Sequence, residues 1–551
     1  MPTIPIPTID WNKLWPIFTR INILIVLDGR QGSSHYATFG EGDQTPGIYG
    51  DAYFGLSEVI DALTGIPIFS RFHITKAHRD TDVRGAADIE HFHFDEHDLS
   101  VYDEIWLIGV APRGGTDTTM SESELFAIAT FMDGGGGVFA TGDHEDLGVE
   151  LCGQIPRVRS MRKWYFPNPG PHGEPKAPSA LDADRIDTTQ PGHNDPQKGT
   201  VLFDDQSDDI PQPINLRWYT QSASVFSRWS YPHPLLCGPQ GAITAFPDHM
   251  HEGEVIVPTD LSATFTFKGK QFVEYPKTGL VPTSPEIVAW GKVLPEKNVV
   301  PSGEPHTGSD VFAEPRMFGI VGAYDGHRER VGRVCVDSTW HHFFDINLIG
   351  DPAAPPPKTL GFKASPTGQA YLENIKNYYR NIGVWLARPA TLSRHFAAGA
   401  WAALNTQPLN IMVRRGDYSL TEVLKFGYLA RDALLRTVPP CSVLVFMWPQ
   451  FVDGPVPVIP PDPWAGLSKG DPVIDPQVLL AAALGSAVVG LAQERDRIVA
   501  LGVEEAVRAI SESVRTSVVK SQHLLAKELR DFGEGLVGRA KEMEGEAGRG
   551  N

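Results

Sequence analysis

The chain has 551 residues, with 48 Lys and Arg against 67 Asp and Glu, for a formal charge of −19. One hydrophobic core organises roughly 250–300 residues, so a large domain with a smaller companion is expected. The acidic balance argues against a nonspecific nucleic-acid surface, because phosphates demand a positive footprint.

The start of the chain is interrupted by Pro2, Pro5, Pro7 and Asp10, which does not read as a signal peptide. Cys152, Cys237, Cys335 and Cys441 lack both metal-finger spacing and the density of a disulfide scaffold. They read as reduced thiols, and the chain as cytoplasmic.

The first strong element is Ile23-Leu-Ile-Val-Leu27, an apolar run ending at Asp28-Gly29, as expected of a strand buried on both faces. Residues 51–63 carry helical periodicity, 68–74 offer a second strand, and Glu104-Ile-Trp-Leu-Ile-Gly109 repeats the buried-strand signature. Ser121-Glu-Ser-Glu124 is a capping box, and Leu125, Ile128 and Met132 follow on one helical face. Gly134 to Gly137 end that helix, and Val138-Phe-Ala-Thr141 forms the next strand, leading into Gly142, Asp143, His144, Glu145 and Asp146.

From about residue 150 to 315 the alternation fades into a long insertion rich in Pro, Gly, Asp and His. It resumes with Phe318 to Ala323 and Gly332 to Val336 as strands, and Tyr371 to Ala387 as an amphipathic helix. A mixed helical extension is expected over 391–454, a proline-rich linker over 455–476, and an amphipathic helix or helix pair over 477–545. The apolar run Val478 to Ala492 is too short to span a bilayer, which takes roughly 20 residues, so no membrane partner is expected.

Ligands of open parallel sheets bind beyond the carboxyl ends of the strands. That rule selects Asp28, Asp143, His144, Asp325, Asp337, His341 and His342. The insertion adds Pro247-Asp-His-Met-His-Glu-Gly253, where the His249/His251 spacing suits two ligands on one metal. His91-Phe-His-Phe-Asp-Glu-His97-Asp98 reads as a strip with a packed aromatic face and a solvated polar one. Arg157, Arg159, Arg162 and Lys163 could hold an anion or neutralise surplus carboxylates, and the glycine run is a poor phosphate loop without Gly-Lys-Ser/Thr.

Ile23 to Leu27, Phe131 to Ala140, His233-Pro-Leu-Leu-Cys-Gly238 and Gly332 to His342 with its closing helix together resemble the class I glutamine amidotransferase-like superfamily, especially its ThuA-like branches. The resemblance covers about 20–390 and implies a doubly wound, mainly parallel, flavodoxin-like α/β sheet. It also implies a site on the turn after the glycine-led strand. Amidotransferases carry a nucleophilic Cys there. This sequence has Thr141-Gly-Asp-His144 instead, and Cys152 lies too far along, so glutaminase activity is not expected.

The expected function is therefore a hydrolase-like enzyme acting on a small molecule, with Asp143, His144, Glu252, His341 and His342 in acid/base roles. Asp143, His144, His249 and His251 would hold a divalent metal such as zinc. The competing expectation is a noncatalytic binding or assembly protein that forms homo-oligomers, or docks a partner, through its C-terminal helices.

Overall fold

The computed structural model describes residues 20–29, 36–40, 53–64, 71–164 except 83, 112–118 and 144–146, 211–247 except 225–226 and 239–240, 253–298 except 280–281 and 294–296, 311–312, 316–350, 360–434 except 407–408 and 414–415, and 476–547. The chain divides into two compact units. One is Ile21–Tyr219 with Ser230–Pro389; the other is Met1–Arg20, Thr220–Trp229 and Ala390–Asn551.

The first unit is mixed α/β and is built on an eight-stranded sheet. In chain order its main elements are β1 (Arg20–Leu27), α1 (Ser57–Thr64), β2 (Arg71–His78), β3 (Glu104–Ile108), α2 (Glu122–Asp133), β4 (Gly137–Thr141), α3 (Val149–Cys152), α4 (Val158–Met161), β5 (Asn215–Leu216), β6 (Glu286–Val293), β7 (Arg316–Tyr324), β8 (Val334–Asp337), α5 (Asp345–Ile349) and α6 (Pro366–Leu386). The sheet order is β2-β1-β3-β4-β8-β7-β6-β5. β1, β3, β4 and β8 are mutually parallel, with Ile23 opposite Glu104, Ile105 opposite Val138 and Val334 opposite Val138. Beyond β8 the pairings to β7, β6 and β5 are antiparallel.

Strand alternation explains why helices cover both faces. Leu24, Val26, Ile105, Leu107, Val138, Ala140, Val334 and Val336 share one core with Leu125, Ile128 and Met132 of α2. On the opposite face Phe139 packs at a tilt against Trp106 and against Phe343, which in turn meets Tyr378 and Tyr379 of α6. Each fully buried aliphatic side chain contributes ~1.5–3 kcal/mol, so the two-sided strands are the main source of stability.

Both arms of the capping box form. Ser121 Oγ accepts from the Glu124 amide at 3.2 Å, and the Glu124 carboxylate accepts from the Ser121 amide at 2.9 Å. α6 starts earlier than its apolar stripe suggests, because Pro366 occupies its first turn and Ser365 accepts from the Gly368 amide at 3.0 Å. Of the helix expected over 51–63, Ser57–Thr64 is helical and Tyr53–Gly55 is extended; the second strand is described over Arg71–His78, and residues 51–52 and 68–70 lie outside the described residues.

The insertion also feeds the sheet itself, since β5 and β6 form its antiparallel edge. The central sheet is mostly parallel, as expected, and its antiparallel pairings are confined to the side formed by β7, β6 and β5. One expectation about the thiols is corrected. Cys237 is disulfide-bonded, whereas Cys152 and Cys335 are free and buried.

The second unit contains α7 (Pro389–Leu404), α8 (Leu420–Leu434), α9 (Pro476–Val499) and α10 (Val503–Ala547). The apolar run of α9 is buried at Ala481, Ala482, Ala483, Leu484, Ala487, Val488 and Leu491. This helix packs on α8 and α10, and its small alanines allow the close approach. Among the described residues no helix is long and apolar enough to cross a membrane. Of the expected 455–476 linker, residues 455–475 lie outside the described residues and Pro476 begins α9.

Candidate active site

The carboxyl ends of β1, β3, β4 and β8 lie side by side, and those of β1, β4 and β8 with their following turns carry Asp28, Asp143, Asp337, His341 and His342. Asp28 closes β1 at the position where the sheet order reverses, between β1 and β3. Its Oδ1 accepts the amides of Val110 and Ala111, while Oδ2 has no hydrogen-bond partner among the described residues and the side chain is fully buried. Burial pushes this carboxyl up to about 6 against the pull of the two amides. Burial, reinforced by Asp28, also raises the Cys152 thiol well above its usual range, so Cys152 is not an activated nucleophile.

β4 ends in Gly142 and Asp143, and the Asp143 amide donates to Leu147 O at 3.2 Å, closing a tight turn. The return of that turn is possible because Gly148 has φ +86° and a Cβ on Gly109 would lie 2.5 Å from its Cα. β8 leads into a 3-10 turn over Trp340–His342, capped by Thr339, whose Oγ1 accepts the His341 amide at 3.1 Å.

The two turns dock on one another. The Trp340 amide donates to Gly142 O at 2.9 Å, Thr339 Oγ1 donates to Asp143 Oδ1 at 2.7 Å, and His341 Nε2 lies 3.3 Å from Asp143 Oδ2. With the Asn347 amide nitrogen donating to His341 Nδ1 at 2.8 Å, the ring proton sits on Nε2 and faces Asp143. Both nitrogens of His341 are thus engaged within the fold.

His342 has a different arrangement. Its Nδ1 lies 2.8 Å from Asp337 Oδ1, and Tyr378 donates to Asp337 Oδ2 at 2.8 Å. His342 and Asp337 are fully buried, and the Phe246 ring covers the imidazole at a centroid distance of 4.6 Å. Tyr379 donates to the His342 carbonyl. A carboxylate on Nδ1 fixes the tautomer and orientation of the ring.

The structure therefore brings Asp143, His341 and His342 together with Asp337. His144, Asp248, His249, His251 and Glu252 lie outside the described residues, although Phe246 and Gly253, which bracket the last four, both touch the β8 turn. Among the described residues no group of three or more His, Cys, Asp or Glu side chains is placed to hold a metal. Both Asp143 oxygens already face donors, Thr339 and His341.

The glycine run lies at the opposite end of β4 from Asp143. A Cβ on Gly136 would strike the Phe131 ring and one on Gly137 the Leu386 carbonyl, so packing explains these glycines. The basic residues after the turn are structural too. Arg157 bonds Asp133 and Glu274 O, Lys163 pairs with Glu254 at 3.0 Å, and Arg162 spends its donors on main-chain carbonyls. In the His91–Asp98 strip, Phe92 and Phe94 are buried while His91, His97 and Asp98 are exposed.

Thr339, Asn347 and Tyr378 escaped sequence reasoning. Only Thr339 carried a usable signal, as a cap residue preceding a His pair. No family model matches the chain, and no curated protein matches it.

Proposed function

We propose that the chain is a hydrolase-like enzyme for a small-molecule substrate, built on a flavodoxin-like scaffold of amidotransferase type. Support for the scaffold comes from the sheet order. Its five strands β2-β1-β3-β4-β8 follow the 2-1-3-4-5 pattern of that fold, with Asp28 at the switch point. The observation that carries the function is the pair of histidine–carboxylate contacts on one turn, His342–Asp337 and His341–Asp143.

In this reading His342 Nε2 takes a proton from the attacking water and returns it to the leaving group, while Asp337 holds the ring and stabilises its charged form. Asp143 and His341 brace the neighbouring turn. Because Phe246 covers His342, substrate entry requires that ring to move.

A divalent metal such as zinc, held by Asp143, His144, His249 and His251, belongs to the same proposal and would supply an activated water. The described residues provide one of those four ligands, and that carboxylate is already engaged, so the acid/base version stands without it. Turnover should be sought with p-nitrophenyl acetate, p-nitrophenyl phosphate and p-nitroanilide substrates, alongside elemental analysis of the purified chain. His342→Gln should abolish hydrolysis with folding retained. Full hydrolysis by that variant would remove His342 from the mechanism, and a metal-free preparation with full activity would remove the metal.

A second reading is favoured by one observation. Phe532, Leu536, Val537 and Met543 of α10 are 66%, 53%, 56% and 71% exposed. An amphipathic helix is stabilised by burying such a stripe, and a second copy of α10 could cover it. Under this assembly reading, Phe532→Ser with Leu536→Ser lowers the mass measured by light scattering. An unchanged mass counts against it.

A further inference from the structure

We infer that Arg162 is a positioning residue whose buried guanidinium ties the turn after β4 to the turn after β8 and so sets the Asp143–His341 contact. The catalytic meaning of that contact rests on the function proposed above; the clamp itself does not.

Arg162 is fully buried. Its Nη2 donates to Asp143 O and, at 2.7 Å, to Ser338 O; its Nε donates to Ser338 O at 3.2 Å, and Nη1 to Lys163 O at 2.9 Å. Its guanidinium carbon lies 4.3 Å from the centroid of the Trp164 ring. Among the described residues no carboxylate forms an ion pair with it, and burial pulls it down to about 10 against the opposing fields of Asp143 and Asp337.

Desolvating a guanidinium is costly, and a residue needed only to fill space would be apolar. The planar fork offers what an apolar side chain and a lysine both lack, donors fixed in one plane that reach two carbonyls together. Those carbonyls belong to Asp143 and Ser338. The first residue carries the carboxylate of the contact, and the second immediately precedes Thr339, which bonds that carboxylate.

The chain after the 247–253 cluster is seated on the same clamp. A Cβ on Gly253 would lie 2.1 Å from Ser338 O and 3.3 Å from Arg162 Nη2, so only glycine passes there without displacing the carbonyl. The Lys163 amide donates to Glu254 O at 3.0 Å, and Arg162 forms a β-bridge with Val255. The side chain thus joins two turns, while the main chain of Arg162 and Lys163 pairs with the third segment.

The test uses the full chain with 15N-labelled histidine, the rings of His341 and His342 being assigned through His341→Gln and His342→Gln. In Arg162→Met the His341 Nε2–H resonance should shift or vanish. The His342 signal, held by Asp337, should stay, and circular dichroism should remain that of the folded chain. Arg162→Lys should give a smaller shift of the same sign, and it carries the test if Arg162→Met does not fold. A folded variant with His341 unmoved overturns the inference, as does equal displacement of both rings or unfolding of both variants, which would assign Arg162 to the fold as a whole. Absence of any hydrolysis would defeat the proposed function while leaving this readout intact.

Discussion

His342 Nδ1 lies 2.8 Å from Asp337 Oδ1, with both side chains at zero exposure. A carboxylate in that position holds one tautomer and stabilises the imidazolium that forms when Nε2 takes a proton. Asp337→Asn preserves volume but removes the charge and presents an amide that can favour the other tautomer. Turnover on whichever chromogenic substrate is hydrolysed should fall by about 10²–10⁴-fold. The melting temperature should change far less than the rate. Wild-type turnover in Asp337→Asn would sink the dyad.

Thr339 serves two partners, donating to Asp143 and accepting from the His341 amide. Thr339→Val keeps the shape and strands both, leaving a buried carboxylate oxygen and a helical amide short of a partner. The expected loss of stability is about 1–3 kcal/mol, measured by urea denaturation. A neutral result would mean that the two turns are held together without this contact.

Asp28 makes stability depend on pH in a predictable direction. Burial raises its folded value to about 6, above an ordinary carboxyl in the unfolded chain. Its contribution is therefore most favourable below the unfolded value and is lost as pH rises through about 6. Asp28→Asn cannot ionise, yet its carbonyl still accepts the Val110 and Ala111 amides. The variant should be more stable than wild type at pH 8, by ~3 kcal/mol at most, with the advantage disappearing at pH 4. A difference that is constant with pH would show that Asp28 is not the group responsible.

The fold was legible where burial on two faces wrote itself into short apolar runs, as in Ile23 to Leu27, Glu104 to Gly109 and Val138 to Thr141. The capping box at Ser121 and Glu124 was equally readable because its chemistry is local. β5 and β6 were not, since an antiparallel strand such as Glu286–Val293 is specified by pairing with β7, a partner about 30 residues away, rather than by its own pattern. At the site, strand-end position pointed to Asp143, His341 and His342. It could not distinguish the two histidines, because which nitrogen meets Asp143, Asn347 or Asp337 depends on contacts between segments far apart in sequence. Arg162 was ambiguous for the same reason: an arginine near a site looks like an anion ligand until its donors are seen to end on carbonyls.

The bonded state of Cys237 gives a direct chemical test. Cys152 and Cys335 are free, whereas Cys237 is in a disulfide. A denatured chain titrated with a thiol reagent should therefore yield fewer than four thiols before reduction and all four after it. Because Asn381 Nδ2 donates to the Leu235 and Cys237 carbonyls, at 3.1 and 2.7 Å, the segment around Cys237 is anchored to α6 without help from sulfur. Cys237→Ser should thus leave β8 and its His342–Asp337 pair in place, and the cost should fall on stability, about 2–4 kcal/mol for loss of a cross-link. Four reactive thiols before reduction would exclude the disulfide in the purified chain and restore the reading of a fully reduced protein.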